Sequence, residues 1–192
     1  MIKAIVFDCF GVLAEDGWLP FKRKYIGNNK RLADDVADLG KQNEFGMVSL
    51  ENYFTQVAKL ISVDEKNLKA AVNRRVPNED LFSFISSYLK PNYKIGLLSN
   101  ANFNVIEKIF SEEQAKLFDA SVLSYESKLI KPDPKIFELI AQRLNVQVSE
   151  CLFIDDVDRY CLAAEEVGMK AIVYKNPEQA KTEIRLALED YA

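Results

Sequence analysis

Residues 2–13 read Ile2-Lys3-Ala4-Ile5-Val6-Phe7-Asp8-Cys9-Phe10-Gly11-Val12-Leu13. Four apolar residues, Ala4 to Phe7, run without a break into a carboxylate, and Gly11 follows three positions later. An uninterrupted run rich in Ile, Val and Phe, stopped by a glycine turn, predicts a strand buried on both faces, the pattern of a parallel sheet. An unpaired charge inside such a strand is costly. Asp8 is therefore expected at the strand's carboxyl end, in a crevice that a ligand reaches, since open α/β sheets bind ligands at that edge. Taken alone, Asp8 is equally an ordinary turn residue. The rest of the chain decides.

Working outward, three further stretches repeat the pattern. Tyr93 to Leu98 predicts a strand ending at Ser99-Asn100, Phe118 to Leu123 another, and Cys151 to Ile154 a fourth that ends at Asp155-Asp156. Lys170 to Tyr174 predicts a short fifth. Helical segments lie between them. Val105 to Phe110 is one, and Tyr160 to Val167 another, with Gly168 as its stop. Pro177 to Tyr191 closes the chain as a helix. Asp133 and Pro134 read as N-cap and first position of a helix carrying Ile136, Phe137, Leu139, Ile140 and Leu144. Alternating strands and helices predict an α/β fold: a doubly wound, Rossmann-like parallel sheet of five strands with right-handed crossovers.

Residues 14–89 are too long for one crossover. Leu32, Val36 and Leu39 share a helical face that Gly40 would end. Ser49 caps Leu50 to Ile61, and Asp64 caps a helix through Val72 that Pro77 ends. Asn78 opens a further helix with Leu81, Phe82, Ile85 and Leu89. The expected organisation is a core of residues 1–13 and 90–192 with an inserted α-helical cap subdomain at 14–89. Trp18, Phe21 and Tyr25 read as cap core, and Cys9 as a small buried side chain turned away from the crevice.

Composition narrows the chemistry. The 192 residues are 48% hydrophobic and 28% charged with a net charge of -4, which argues against nucleic acid as a partner. Histidine is absent, which excludes Ser-His-Asp and Cys-His devices and His-ligated zinc. The three cysteines, Cys9, Cys151 and Cys161, form no Cys-x-x-Cys pair and predict neither a disulfide framework nor a thiolate cage. No apolar stretch nears the ~18 residues a membrane span needs, and no signal peptide is read, so a cytoplasmic location is expected.

The strand ends carry the functional signal. Asp8, Ser99-Asn100 and Asp155-Asp156 would converge on one edge of the sheet, with Lys131 on the loop before the proline-bracketed helix. Singly, each reads as a turn, a cap or a solvated charge. Together they cluster carboxylates that repel without a compensating cation. A hard divalent ion with oxygen ligands, such as Mg²⁺, would compensate.

Four motifs now resemble one family. Phe-Asp-Cys-Phe-Gly-Val-Leu at 7–13, Leu-Leu-Ser-Asn at 97–100, Lys-Pro-Asp-Pro-Lys-Ile-Phe at 131–137 and Phe-Ile-Asp-Asp at 153–156, followed by Ala163, Ala164 and Gly168-Met169, resemble the haloacid dehalogenase superfamily, mostly Mg²⁺-dependent phosphatases. The insertion resembles the small helical C1-type cap of subfamily I, and the stretch from Gly46 to Phe54 has that cap's look. The resemblance implies a phosphatase acting on a small phosphorylated metabolite, with Asp8 as nucleophile forming an aspartyl-phosphate. It implies Ser99 and the backbone near Asn100 on the phosphate oxygens, Lys131 neutralising the phosphate, and Phe10 beside the substrate. Magnesium would be held by Asp8, Asp156, the Phe10 carbonyl and Asp155, the last directly or through water.

One position departs from the pattern. Where these phosphatases carry a second Asp as acid and base, this chain has Phe10, which transfers no proton. Such help is worth about 10²–10⁴-fold. Acyl or aryl phosphates that need no acid, or a substitute such as Glu15 or Asp16, are the two consequences. An aromatic here also resembles the dehalogenase branch, which displaces halide from 2-haloacids without metal and makes the paired Asp155-Asp156 unusual. A third reading keeps the fold and metal as a binding or regulatory module with little turnover.

Overall fold

A computed structural model describes residues 1–44, 47–101 and 103–189. The stretch from Gly46 towards Phe54 and the end of the last helix at Tyr191 thus fall partly outside the described residues. The chain divides into two compact units, Met1–Glu15 with Val76–Ala192, and Asp16–Arg75.

The first unit is built on five parallel strands: β1 (Ala4–Phe7), β2 (Lys94–Ser99), β3 (Ala120–Leu123), β4 (Cys151–Asp155) and β5 (Lys170–Val173). Their order is β3-β2-β1-β4-β5, the expected α/β doubly wound sheet. The run Ala4 to Phe7 takes the centre because it can be buried on both faces. Ile5 and Phe7 join one core with Ile95, Leu97, Leu152 and Ile154. Ala4 and Val6 join another with Leu98, Cys151 and Phe153. Phe7 is fully buried, and truncating such a ring to alanine costs about 3–5 kcal/mol. Phe7 lies in register with Leu97 of β2 and Ile154 of β4, which sets the carboxyl ends of the three central strands side by side.

The helices of the second unit are α1 (Trp18–Tyr25), α2 (Lys30–Glu44), α3 (Leu50–Leu60) and α4 (Glu65–Val72). Ser49 and Asp64 cap α3 and α4 by accepting from the amides of Asn52 and Asn67. Phe21, Phe54, Val57 and Leu68 form the buried core of this unit, with Trp18 packed against it and Tyr25 exposed. Gly40 does not end its helix: α2 continues through it to Glu44. A lone glycine inside a helix costs only about 1 kcal/mol, which the flanking turns tolerate.

The remaining helices belong to the first unit. They are α5 (Glu79–Phe84, extended by a π-turn at Ile85–Leu89), α6 (Val105–Ile109), α7 (Glu112–Ala115), α8 (Ser124–Ser127), α9 (Pro134–Arg143), α10 (Asp158–Glu166) and α11 (Pro177–Glu189). The units part at 15/16 and 75/76, not at 13/14 and 89/90. The reason is burial: Leu81, Phe82, Phe84, Ile85 and Leu89 sit in the same core as Phe7 and Leu97. Pro77 does not end α4 either. That helix stops at Val72, and Pro77 forms a bridge with Ala14 where the two connections run side by side. Asn78 fastens this place. Its amide donates to the Leu13 carbonyl, and its side-chain nitrogen donates to the Val12 carbonyl and lies 3.0 Å from the Tyr174 hydroxyl.

Candidate active site

Asp8 follows β1 directly, and its amide donates to the Ile154 carbonyl at 2.9 Å, so the ladder with β4 fixes its backbone. Alternation along β4 then turns Asp155 to the face of Phe153 and Cys151. Lys131 reaches this place from the loop before α9. Its ammonium donates to Asp8 Oδ1 at 2.7 Å and to Asp155 Oδ2 at 2.6 Å. All three side chains are buried. The ammonium also lies 5.4 Å from the Phe153 ring centroid.

Two helix starts aim these groups. Asp133 caps α9 by accepting from the Lys135 amide, with Pro134 at the first position. Asn100 then clamps the lysine loop in both directions. Its Nδ2 donates to the Lys131 carbonyl at 3.1 Å, and its Oδ1 accepts from the Lys131 amide at 2.8 Å. Asp155 has both oxygens engaged, Oδ2 by Lys131 and Oδ1 by the Val157 amide at 2.8 Å. The turn into α10 therefore carries the next residue, Asp156, half-buried at the sheet edge.

Burial pushes the Asp8 carboxyl above its ordinary range; Lys131 pulls it down and the Asp155 charge raises it further. The Lys131 ammonium is opposed by burial but held charged by Asp8 and Asp155, and its pKa is raised. Two carboxylates sharing one lysine in a dry site leave negative charge uncompensated. Ligand oxygens of Asp8, Asp155 and Asp156 all lie within 4.8 Å of one another, a set of hard donors suited to a small divalent cation. Gly11 makes room for it. Its φ is +86°, and a Cβ there would fall 2.6 Å from Asp156 Oδ2.

Ser99 ends β2, and its hydroxyl is buried with no hydrogen-bond partner. A buried hydroxyl rarely stays unsatisfied, so it marks a place for a ligand oxygen. Phe10 follows two residues after Asp8, in the turn closed by Ala14 N–H to the Cys9 carbonyl, and its ring packs 6.3 Å from Phe103. Cys9 is fully buried in the core that holds Phe7. The sequence reading did not assign Tyr160 and Arg159 to this place. Tyr160 lies within 5.0 Å of Lys131 Nζ, and Arg159 bonds its hydroxyl. Their position one turn after the Asp pair was the available signal.

The sequence model of the haloacid dehalogenase-like hydrolases matches residues 2–168. The chain belongs to this family. Among family relatives, a phosphatase of Mycobacterium tuberculosis is 31% identical over 208 residues, covering 94% of this chain and 90% of its own length. Acyl-CoA dehydrogenase family member 10 of Mus musculus is 27% identical over 211 residues; these cover 97% of this chain but only 19% of the mouse protein. A haloacid dehalogenase family enzyme of Bacteroides thetaiotaomicron, solved with magnesium and inorganic phosphate, superposes with a TM-score of 0.63 at 26% identity, covering 91% of this chain and 95% of that one. Among the described residues, no helix is long and apolar enough to cross a membrane.

Proposed function

We propose that this family hydrolase is a Mg²⁺-dependent phosphatase of small phosphomonoesters that works through an aspartyl-phosphate on Asp8. The observation that carries the reading is the buried Asp8–Lys131–Asp155 arrangement with Asp156 beside it. It combines a nucleophile, a fixed cation and a hard-oxygen set on one sheet edge. The phosphatase relative and the magnesium and phosphate seen in the related structure support the same reading.

On this reading Asp8, Asp156 and the Phe10 carbonyl would hold Mg²⁺, and Asp155, whose oxygens accept from Lys131 and the Val157 amide, would contribute directly or through water. When bound, the ion supplies charge that offsets the phosphate and keeps Asp8 ionised. Lys131 holds the Asp8 carboxylate in place through Oδ1, and that carboxylate attacks phosphorus. Ser99 and the backbone at Asn100 donate to the phosphoryl oxygens. Lys131 stabilises the charge that develops there, and prior positioning lowers the barrier further. The P–O bond to the leaving group breaks as the Asp8–phosphorus bond forms. Water then attacks phosphorus and frees Asp8. With Phe10 at the position two beyond Asp8, aryl and acyl phosphates, whose leaving oxygens need no proton, turn over fastest. Residues Asp16–Arg75 serve as the cap.

The test is phosphate release from an aryl phosphate with and without Mg²⁺. Wild type should release phosphate only with the metal, and Asp8→Asn should not. Halide release from a 2-haloacid without metal, in place of phosphate release, would contradict the reading. Mg²⁺ binding with silence in both assays would mark a binding module.

A further inference from the structure

The first turn of α10 carries a group that the reaction above does not use. Tyr160 is half-buried, and its ring centroid lies 5.0 Å from Lys131 Nζ. The guanidinium carbon of Arg159 lies 4.8 Å from the same centroid. The Tyr160 hydroxyl oxygen accepts a hydrogen bond from Arg159 Nη2 at 2.9 Å and lies 3.5 Å from Asn100 Nδ2. Both neighbours are donors. A phenol oxygen can face two donors while its own O–H stays available to donate. Among the described residues no acceptor meets that proton.

Two other donors at this edge are in a similar state. Ser99 Oγ is buried without a partner. Lys131 has three N–H groups, of which two go to Asp8 and Asp155. The Ser99 hydroxyl, the third N–H of Lys131 and the Tyr160 O–H are thus three donors beside a candidate nucleophile. A ligand rich in anionic oxygens is the group that would satisfy all three.

We infer that Tyr160 is a ligand of the transferring phosphoryl group. Its O–H donates to one non-bridging oxygen, and its ring covers the ammonium of Lys131. This inference rests on the phosphatase reading. Arg159, by donating to the phenol oxygen, fixes the direction of the O–H and polarises it. Ser99, Lys131 and Tyr160 then give one donor to each of the three oxygens on which charge is spread in the transition state. A donor held in place before reaction acts there without reorganisation.

Tyr160→Phe tests this. It keeps the ring over Lys131 and removes only the hydroxyl. The expected result is a fall of roughly 10²-fold in kcat/KM on an aryl phosphate, carried mainly by kcat. Inhibition by orthovanadate, which mimics five-coordinate phosphorus, should weaken by a similar factor with Tm unchanged. Tyr160→Leu should lose the same activity and also lower Tm, because the ring is lost. Wild-type kcat/KM and vanadate inhibition in Tyr160→Phe would overturn the inference. Calorimetric binding of inorganic phosphate separates it from the parent reading. If wild type releases no phosphate yet binds it more tightly than Tyr160→Phe does, the Tyr160 contact stands and the activity falls. Equal binding by the two proteins refutes Tyr160, and no binding by either refutes both.

Discussion

Replacing Gly11 with alanine would push a methyl group into the space that the Asp156 carboxylate occupies. The added Cβ would lie 2.6 Å from Oδ2, 2.7 Å from Cγ and 3.0 Å from Oδ1. Relaxed contacts of this kind sit near 3.5 Å, so the carboxylate must withdraw by about 1 Å. Magnesium binds its ligands at about 2.0–2.1 Å in strict octahedral geometry, and a shift of that size removes Asp156 from its sphere. Loss of even an outer-shell partner typically costs 10–100-fold in metal affinity, so the Mg²⁺ concentration for half-maximal phosphate release should rise by at least about 10-fold. The φ of +86° adds a separate backbone cost of about 1 kcal/mol, a fall of roughly 2–4 °C in Tm. Gly168 provides the control. Its φ is +97°, but a Cβ there meets nothing within 4 Å. Gly168→Ala should therefore show the thermal loss alone. A Mg²⁺ titration of both variants, beside their melting curves, separates the two effects. An unchanged Mg²⁺ midpoint in Gly11→Ala, or an equal shift in both, would refute the reasoning.

Lys131→Met should abolish activity and also destabilise the protein by about 3–5 kcal/mol near neutral pH, because it leaves Asp8 and Asp155 buried without their cation. Lys3→Met, which breaks the exposed pair with Glu150, should cost less than about 1 kcal/mol. Urea melts across pH check the sign. The Lys131→Met deficit should grow as pH rises above the unfolded carboxylate range near 4 and vanish below it, since protonation in the folded state then removes the repulsion. Burial pushes the thiols of Cys151 and Cys161 up to about 12. At pH 8 their thiolate fraction is about 10⁻⁴, so iodoacetamide followed by mass spectrometry should label them only after unfolding.

Much of the fold was legible because the central strand is buried on both faces and its apolar run stops at a charge. The capping residues Ser49, Asp64, Asn78 and Asp133 were readable for the same kind of reason: each is a short polar side chain placed before a helical apolar pattern. Where the inserted unit ends was not legible. Residues 79–89 show the same helical period whichever core they bury against, and only contacts such as Leu81 and Leu89 with the Phe7 core decide it. Gly40 misled because glycine stops a helix or is tolerated inside one, and local sequence does not distinguish the two.

At the site, Asp8, Ser99 and the Asp pair were visible as residues set at strand ends, and Lys131 as a charge on the loop before a proline-bracketed helix. That Lys131 and the Val157 amide engage both oxygens of Asp155 was not, since it depends on how the lysine loop and the turn into α10 fold back on the strand end. The backbone near Asn100 was expected at the substrate; that the Asn100 side chain also clamps the backbone of Lys131 was not visible. Tyr160 was hidden because an aromatic on a helix ordinarily packs into a core. Its ring lies near Phe153's side of the sheet while its hydroxyl faces polar partners.

The most direct test of the central claim is to quench a turning-over mixture of protein, aryl phosphate and Mg²⁺ in acid and map any phosphoryl adduct by peptide mass spectrometry. The account predicts an alkali-labile phosphoryl group on Asp8, formed only with Mg²⁺ and absent in Asp8→Asn. Phosphate release at an undiminished rate in Asp8→Asn, with no adduct on the wild-type peptide, would contradict it.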